Sequence, residues 1–429
     1  MALDAELPKL ITAERVSEGL RIVTYQNNSN PTLAVYGSLQ AGGAFDPEGK
    51  SGIAELVSRL LLRGSRKLGA AKMADQLESV GAAISFRNTQ DNIIFQARTT
   101  STWTRKVLGI LSLCLTKPAF NAGDFEKEKE QILTEIRLRD DDTTRRGLNE
   151  LHRFVYPPKH PYRGDKLGTS ESVKSIQRRD LLTHFENVAS KAQVIIAFAG
   201  DLKRDELLSW AEESFQGRTE SQNHHDGTAG DPLSLKPEKK EILMAHKTQS
   251  DILFGAPTME RREPDYEPLN LLNVILGELG FMGRLGQRVR DKEGLAYSCA
   301  SFLNAGTRGG NWTALAGVNP RNVVRATELM REEIARMSSE EVTGEELDSA
   351  KQNQIGSALM ELESTEGVAR TSHNLEYFGL GLDYFARRRQ LYKKISASDL
   401  LDMARKYLDP SRISTVVVGP KDKSAASKS

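Results

Sequence analysis

The alternation of apolar and polar residues predicts an amphipathic helix at residues 52–64, which read GIAELVSRLLLRG. The apolar positions of this segment are Ile53, Leu56, Val57, Leu60 and Leu61. Their spacing places them on one face of a helix, and the glycines at both ends mark where that helix begins and stops. Glu55, Ser58 and Arg59 lie between them, so this helix also carries polar and charged candidate residues.

Two stretches of the chain share one pattern. Residues 171–202 and residues 389–422 each predict a helix followed by a β-rich strand that ends in glycine. Five identities relate them at a constant offset of 219 positions: Ile176 and Ile395, Asp180 and Asp399, Leu181 and Leu400, Leu182 and Leu401, and Gly200 and Gly419. Gly123 and Gly344 introduce a further pair of helices at an offset of 221. The repeat is too long for a solenoid unit, so it indicates a whole domain that occurs twice.

Each copy combines helices with strands that pair locally. Segments such as AAISFRN and NIIFQAR are joined by a short turn that permits antiparallel pairing. The sequence therefore predicts an α+β fold of two homologous domains, each a mainly antiparallel sheet with helices packed on one face. A nucleotide-binding fold is disfavoured because no strand leads into G-x-G-x-x-G, and GTRGGNW at residues 306–312 fits a hairpin turn better.

A linker divides the chain almost in half. Residues 215–237 are rich in Gly, Ser, Thr, Asn and Asp and have no hydrophobic periodicity, which is typical of a linker. The predicted organisation is an N-terminal domain at residues 1–216, a linker at residues 217–237 and a C-terminal domain at residues 238–429.

Charge and cysteine content narrow the classes of partner and compartment. Lys and Arg total 59 against 58 Asp and Glu, so the net charge gives no reason to expect nucleic acid. Cys114 and Cys299 lie in apolar segments of different halves, which favours buried free thiols over a disulfide. No apolar run approaches the roughly 20 residues of a membrane span, and the first residues do not read as a signal peptide. We expect a soluble protein, cytoplasmic or periplasmic, and a removed leader stays open.

Four segments carry a resemblance to a known enzyme family: residues 39–67, 125–136, 160–176 and 283–298. Over nearly its whole length the chain resembles the inverzincin metallopeptidases of the pitrilysin and mitochondrial processing peptidase type. It is most similar to the non-catalytic subunit of the bacterial two-subunit zinc peptidases. The resemblance implies that the two domains form one half of a metallopeptidase clamshell.

The family's zinc-binding motif is degenerate in this chain. In the family it reads approximately G-x-A-H-x-x-E-H, where two histidines bind Zn²⁺ and the glutamate activates a water. The matching positions here are Glu55, Ser58 and Arg59, and only Glu135, 76 residues beyond Arg59, matches the family's third ligand. Catalytic zinc needs about three protein ligands, and a guanidinium cannot be deprotonated to serve as one. The catalytic set is incomplete, and we expect no metal or other cofactor in this chain.

Arg59 has two alternative roles at these positions. Its four-residue spacing from Glu55 fits an ordinary helical ion pair, which contributes only about 0.2–0.5 kcal/mol when exposed. Alternatively, Arg59 takes the place of the metal charge and pairs with both Glu55 and Glu135, which keeps the old site neutral. The distances from the guanidinium to the two carboxylates distinguish these alternatives.

The seven histidines offer no replacement ligands. Five occur singly near loops, beside strands or in predicted helices, where we expect structural roles: His152, His160, His184, His246 and His373. His224 and His225 lie in the linker, where adjacent imidazoles have no fixed scaffold.

The second half keeps another family feature in RVRDKEGLAYS. Local pattern places Arg290 in the last turn of a helix, Gly294 in a left-handed cap and Tyr297 at the start of the next strand. By resemblance, Arg290 binds substrate carbonyls and Tyr297 stabilises the tetrahedral oxyanion. The alternative is that Arg290 caps its own helix and Tyr297 simply packs.

Together these features predict a subunit that is inactive alone. By resemblance, it supplies Arg290 and Tyr297 to a partner that bears H-x-x-E-H and zinc, and the heterodimer cleaves peptides. The extended substrate would add as a strand to an open sheet edge near residues 82–90. The alternatives are a structural or assembly subunit, similar to the core proteins of a respiratory complex, and a hydrolase with a displaced metal site. A homodimer of the isolated chain also stays open.

Overall fold

The structure is a computed structural model that describes residues 10–216, 235–278 and 283–421. Residues 217–234 of the predicted linker, including His224 and His225, lie outside the described residues. The described part combines strands and helices throughout, and the predicted α+β class is confirmed. Over these three ranges, no helix is both long enough and apolar enough to cross a bilayer.

Eleven strands alternate with helices along the described residues. The strands are β1 (Ile11–Ser17), β2 (Leu20–Gln26), β3 (Thr32–Leu39), β4 (Ala83–Asn88), β5 (Ile93–Thr100), β6 (Val194–Gly200), β7 (Lys239–Leu243), β8 (Ser250–Thr258), β9 (Ala296–Ala305), β10 (Gly310–Val318) and β11 (Ser414–Gly419). The α-helices are α1 (Ile53–Leu60), α2 (Ala70–Glu78), α3 (Thr104–Thr116), α4 (Ala122–Asp141), α5 (Thr143–Val155), α6 (Ser170–Ser175), α7 (Arg178–His184), α8 (Arg204–Phe215), α9 (Tyr266–Asn273), α10 (Val323–Ser339), α11 (Gly344–Glu361), α12 (Thr365–Tyr377), α13 (Tyr384–Lys394) and α14 (Ala397–Tyr407).

The chain forms two compact units, which we call unit 1 and unit 2. Unit 1 comprises Met1–Arg137, Asp165–Asp226 and Ala358–Ala386. Its sheet has the order β1-β2-β6-β3-β5-β4. Only the β2–β6 pairing of this sheet is parallel. The apolar face of α1 packs into the largest core of the unit, which also contains α3 residues such as Leu111 and Cys114.

Unit 2 comprises Leu138–Gly164, Gly227–Ser357 and Arg387–Ser429. Its sheet has the order β7-β11-β8-β10-β9, and β7 pairs with β11 in parallel while the other pairs are antiparallel. Trp312 of β10 is fully buried, and its indole N–H donates to the side-chain oxygen of Asn273 at 3.0 Å. Both sheets are therefore mainly antiparallel, as the sequence predicted.

Each unit takes one helix from the other half of the sequence. Helix α5, which precedes the linker, packs on β8 and β11 of unit 2. Its Gly147 lies so close to the sheet that an added Cβ would stand 2.4 Å from a methyl carbon of Leu253. Helix α12, which follows the linker, packs on β2, β3 and β6 of unit 1. The predicted boundaries at 1–216 and 238–429 miss this exchange, because each helix buries its apolar face against a sheet that lies distant in the sequence.

The duplication is visible in matched helix caps. Asp180 and Asp399 each occupy the third position of a helix and accept a hydrogen bond from the backbone N–H of the capping residue, at 2.9 Å and 2.7 Å. The strands that follow, β6 and β11, both end in the predicted glycine. Gly123 and Gly344 likewise lie at the starts of α4 and α11.

The predicted hairpins and thiols are also confirmed. Strands β4 and β5 pair antiparallel, as do β9 and β10 around residues 306–309. Strands β4 and β9 each form one edge of their sheet, and β1 and β7 form the opposite edges. Cys114 and Cys299 are free and buried, and burial raises the pKa of each thiol to about 12.

We predict that His184 weakens the fold as the pH falls. Its ring is buried, neither nitrogen has a hydrogen-bond partner among the described residues, and burial lowers its pKa from 6.5 to about 4. The unfolded chain binds a proton at this histidine more readily than the folded chain does. The stabilisation of the fold by the neutral ring is therefore complete above pH 6.5 and is lost as the pH falls from 6.5 to 4. Between pH 6.5 and 4, His184→Leu should lose roughly 3 kcal/mol less of its free energy of unfolding than the wild type loses. Urea titrations across this range measure it.

The exposed His246 provides the matched control. It pairs with Asp141 at 2.7 Å, and its side chain is 62% exposed. Over the same pH range, His246→Leu should lose nearly as much free energy of unfolding as the wild type does. An unchanged pH profile for His184→Leu would contradict the prediction.

Candidate functional site

Helix α1 is positioned by the loop that precedes it. Gly52 has a φ of +100°, and an added Cβ would stand 2.6 Å from the carbonyl oxygen of Leu167, so this position requires glycine. The carboxylate of Asp46 accepts the backbone N–H groups of Gly52 and Ala54 at 2.6 and 3.0 Å. Burial raises the pKa of Asp46 to about 7. The start of the helix is therefore fixed by one acidic side chain and one left-handed glycine.

The polar residues of α1 do not face open solvent. Glu55 and Ser58 are buried, at 7% and 2% exposure. The Nε of Arg59 donates to one oxygen of Glu55 at 2.7 Å, while the other oxygen of Glu55 is buried with no hydrogen-bond partner among the described residues. A buried carboxylate needs a nearby cation, and Arg59 provides it.

Arg59 also bridges to helix α4. Its two terminal nitrogens donate to the two oxygens of Glu135, each at 2.7 Å, in a parallel bidentate pair. These hydrogen bonds, with those to Glu55, raise the pKa of Arg59. Of the two alternatives for Arg59, the geometry is that of a cation held by both carboxylates. A simple exposed ion pair along α1 does not describe it.

A second ion pair joins α4 to the turn that follows α1. The Nε of Arg63, one turn after Arg59, donates to Glu128 at 2.9 Å. Glu128 is 3% exposed. Helix α4 is therefore linked by arginine–glutamate pairs both to α1 and to the turn after it, and the sequence analysis had considered only the pair of Arg59.

These residues do not fit the zinc of the peptidases that the sequence resembles. The Glu135 oxygens and one Glu55 oxygen already accept short hydrogen bonds from a guanidinium, which has no lone pair to offer a metal. A +1/+2 pair about 4 Å apart repels by roughly 8 kcal/mol at an effective dielectric of about 20. Among the described residues, no group of three or more His, Cys, Asp and Glu side chains is arranged to hold a metal ion.

The described histidines serve other contacts. His160 accepts the backbone N–H of Tyr162 and stacks on Tyr156, and His246 pairs with Asp141. His373 of α12 lies 2.8 Å from the hydroxyl of Ser38 on β3, and burial lowers its pKa to about 4. His373 thus joins α12 to the sheet of unit 1 as a neutral group.

Arg290 lies where the sequence placed it, at a helix end in unit 2. The helical segment Gly286–Lys292 is of the π type, and Gly294 follows it with a φ of +62°. The N–H of Gly294 donates to the carbonyl of Arg290 at 3.0 Å, as expected for a left-handed cap. The Arg290 side chain binds Asp291 at 2.7 Å, and this contact raises the pKa of the guanidinium.

Tyr297 is held out into solvent by a β-bulge. In the β9–β10 pairing, Ser298 lies opposite Gly317 and Ala296 lies opposite Val318, so Tyr297 is the extra residue between them. Its side chain is 94% exposed. The alternative in which Tyr297 simply packs is therefore wrong. No local sequence pattern indicates the bulge, which re-aims this side chain.

The candidate residues form two sets. Glu55, Ser58, Arg59 and Glu135 come together in unit 1. Arg290 and Tyr297 flank one left-handed turn in unit 2.

We predict that Arg59 and Glu55 are strongly coupled. Arg59→Met should lower the free energy of unfolding by about 2–3 kcal/mol, because it leaves the buried carboxylate without a cation. Adding Glu55→Gln to that variant should restore part of the loss, although Glu55→Gln alone destabilises the wild type. A double-mutant cycle by urea denaturation measures the coupling. Arg105→Met, at an exposed position on α3, is the control and should change stability by less than about 0.5 kcal/mol.

A second prediction concerns metal content. The wild-type chain should retain no stoichiometric zinc after equilibration with Zn²⁺ and removal of free ion, measured by elemental analysis. The variant Glu55→His, Ser58→Glu, Arg59→His keeps Glu135 and regains the two histidine ligands, three ligands in all, so it should hold about one zinc per chain. Stoichiometric zinc in the wild type that is lost in Glu135→Ala would contradict the fit described above.

Comparisons with known proteins agree with this architecture. Residues 21–160 match the family model described as Insulinase (Peptidase family M16), and residues 175–354 match the model described as Peptidase M16 inactive domain. The solved structure of a peptidase M16 inactive domain from Pseudomonas fluorescens superposes with a TM-score of 0.87 at 21% identity, covering 96% of this chain and 98% of that chain. A protease structure from Helicobacter pylori gives a TM-score of 0.83 at 18% identity, covering 96% and 99%.

Curated relatives are similar over most of their length. A Helicobacter pylori protein named Non-peptidase homolog YmxG is 22% identical over 96% of this chain and 95% of its own. A Bacillus subtilis protein named Uncharacterized zinc protease YmxG is 24% identical over 83% and 86%. The Schizosaccharomyces pombe protein named Probable mitochondrial-processing peptidase subunit beta is 24% identical over 85% and 81%. The chain belongs to the M16 family of metallopeptidases, as a member without the family's H-x-x-E-H motif.

Proposed function

We propose that this chain is the non-catalytic subunit of a heteromeric zinc metallopeptidase. In this assembly a partner subunit bears H-x-x-E-H and the zinc, and this chain contributes Arg290 and Tyr297 to substrate binding and to the transition state. Alone, the chain hydrolyses no peptide.

One observation carries the proposal: Arg59 is hydrogen-bonded to both carboxylates that occupy zinc-ligand positions of the family, Glu55 and Glu135. A site neutralised by a fixed guanidinium cannot generate the metal-bound hydroxide that such a peptidase needs. If the chain takes part in peptide hydrolysis, the nucleophile comes from another polypeptide.

The exposure of Tyr297 supports a role in catalysis on a substrate. A phenol that is 94% exposed contributes little to the core of its own chain. Its O–H is free to donate to a developing oxyanion without rearrangement of the sheet. The fork of N–H groups on Arg290 suits two carbonyl oxygens of an extended peptide, and Asp291 orients it.

Strand β4 supports peptide binding in unit 1. It is one of the two edge strands of the sheet, and it packs beside α1, the helix that carries Glu55 and Arg59. Among the described residues no strand pairs with its outer edge, which can accept an extended peptide as a further strand and give affinity through main-chain hydrogen bonds. This is the segment where strand addition was predicted.

The names of the relatives favour a subunit role. One is named a non-peptidase homolog and another a subunit of a processing peptidase. Both names fit a family in which the zinc motif and the supporting residues are divided between chains.

Reconstitution tests the proposal. The chain is co-purified from its source, the companion is tested for H-x-x-E-H, and peptide cleavage is measured for each subunit and for the mixture. Only the mixture should be active. Arg290→Ala and Tyr297→Phe should each lower kcat by about 10²-fold or more, the usual effect of removing one oxyanion donor.

The control variant is Arg321→Ala, a change at an exposed arginine of unit 2 that should leave kcat unchanged. Tyr297→Phe removes only a hydroxyl from an exposed side chain, so its effect is not a consequence of misfolding. Unchanged rates for both Arg290→Ala and Tyr297→Phe would refute the catalytic role. Stable incorporation into a membrane complex without a peptidase companion would favour an assembly subunit instead.

A further inference from the structure

A groove lies in unit 1 on the sheet face that α12 covers. It encloses about 260 Å³ between β3, β4, β5 and α12. Tyr36 and Ala83 are among the residues of its wall, and Ser85, Arg98, Glu366 and Arg370 supply polar groups. We call it the Arg98–Arg370 groove.

The two arginines of this groove are unpaired within the described residues. Arg21, which also meets α12, is bound to Glu376 at 3.0 Å, whereas Arg98 and Arg370 have no carboxylate within ion-pair distance. Both are exposed, and Arg87 of β4 is a third exposed arginine without an ion pair on the same strand face as Ala83 and Ser85. Glu366 is the single acidic residue that lines the groove. The surroundings therefore favour a negatively charged group.

The register of the sheet connects this groove to the free edge of β4. Ala83 lies directly opposite Arg98, and Ser85 lies opposite Gln96. A peptide strand added to β4 would lie about 4.8 Å beyond it, with every second side chain on the α12 face. Because Ala83 is only a methyl group, the long Arg98 side chain can pass over it to reach a peptide residue in the same row.

We propose that the Arg98–Arg370 groove receives an acidic side chain of an extended peptide added to β4. The chain then selects peptides that carry Asp or Glu at one strand position, with the carboxylate between the two guanidinium groups. This inference rests on the proposed function, because it requires strand addition at β4.

Peptide binding to the full chain tests it. Extended peptides of one sequence, each with a single Glu placed in turn at every position, are compared with the Gln versions by fluorescence anisotropy. At one position the Glu peptide should bind about tenfold more tightly, and this advantage should shrink in high salt. Arg98→Gln and Arg370→Gln should each reduce the advantage and leave the affinity of the Gln peptide unchanged. Arg105→Gln, on α3, is the matched control and should preserve it.

The outcomes separate the two proposals. Equal affinity of Glu and Gln peptides at every position would overturn the acidic preference and leave strand addition intact. If the Glu peptide still binds more tightly than the Gln peptide in both arginine variants, another surface recognises the carboxylate, and this result would also overturn the proposed groove. Peptides with alternate backbone amides N-methylated cannot add as a strand on the methylated edge. If such peptides bind as tightly as unmodified ones, or if no peptide binds, strand addition itself fails.

Discussion

The hydrogen bonds of the Arg59 guanidinium to Glu55 and Glu135 determine the character of the site in unit 1. The guanidinium neutralises a buried carboxylate on its own helix and grips a second one on α4, so the two helices that would frame a metal are joined by an organic cation. A fixed positive charge bonded to both carboxylates repels a divalent ion. The scaffold around the site is retained, while its chemistry is lost.

The retained parts are surfaces rather than reactive groups. Edge strand β4 has no neighbouring strand on its outer side within the described part of the chain, and edge strand β9 projects Tyr297 from a bulge. Neither feature benefits an isolated protein, because an exposed strand edge favours pairing with other chains and an exposed phenol gains no free energy from burial. Their presence is understandable if another molecule is the intended contact.

The sequence predicted what depends on short-range spacing. Helix periodicity located α1, and the Asp180 and Asp399 caps located two helix starts. The family resemblance identified Glu135, and its pairing with Arg59 was one of two alternatives that the sequence left open. It missed features that depend on which distant segments meet. The Tyr297 bulge follows from the register of β9 against β10. Arg98 and Arg370 line the same groove only because α12 packs on the sheet of unit 1. No local pattern encodes such contacts.

The exchange of α5 and α12 has a consequence for how the duplication persists. A polypeptide ending in the linker would carry α5 without the sheet that buries its Leu151, and it would lack the helix that covers Ala34 and Ala197. Neither half is then a complete folding unit, although each looks like a copy of the other. The ancestral copies have become interdependent within one molecule, and a gene split in the linker would yield two fragments that must find each other before either matures.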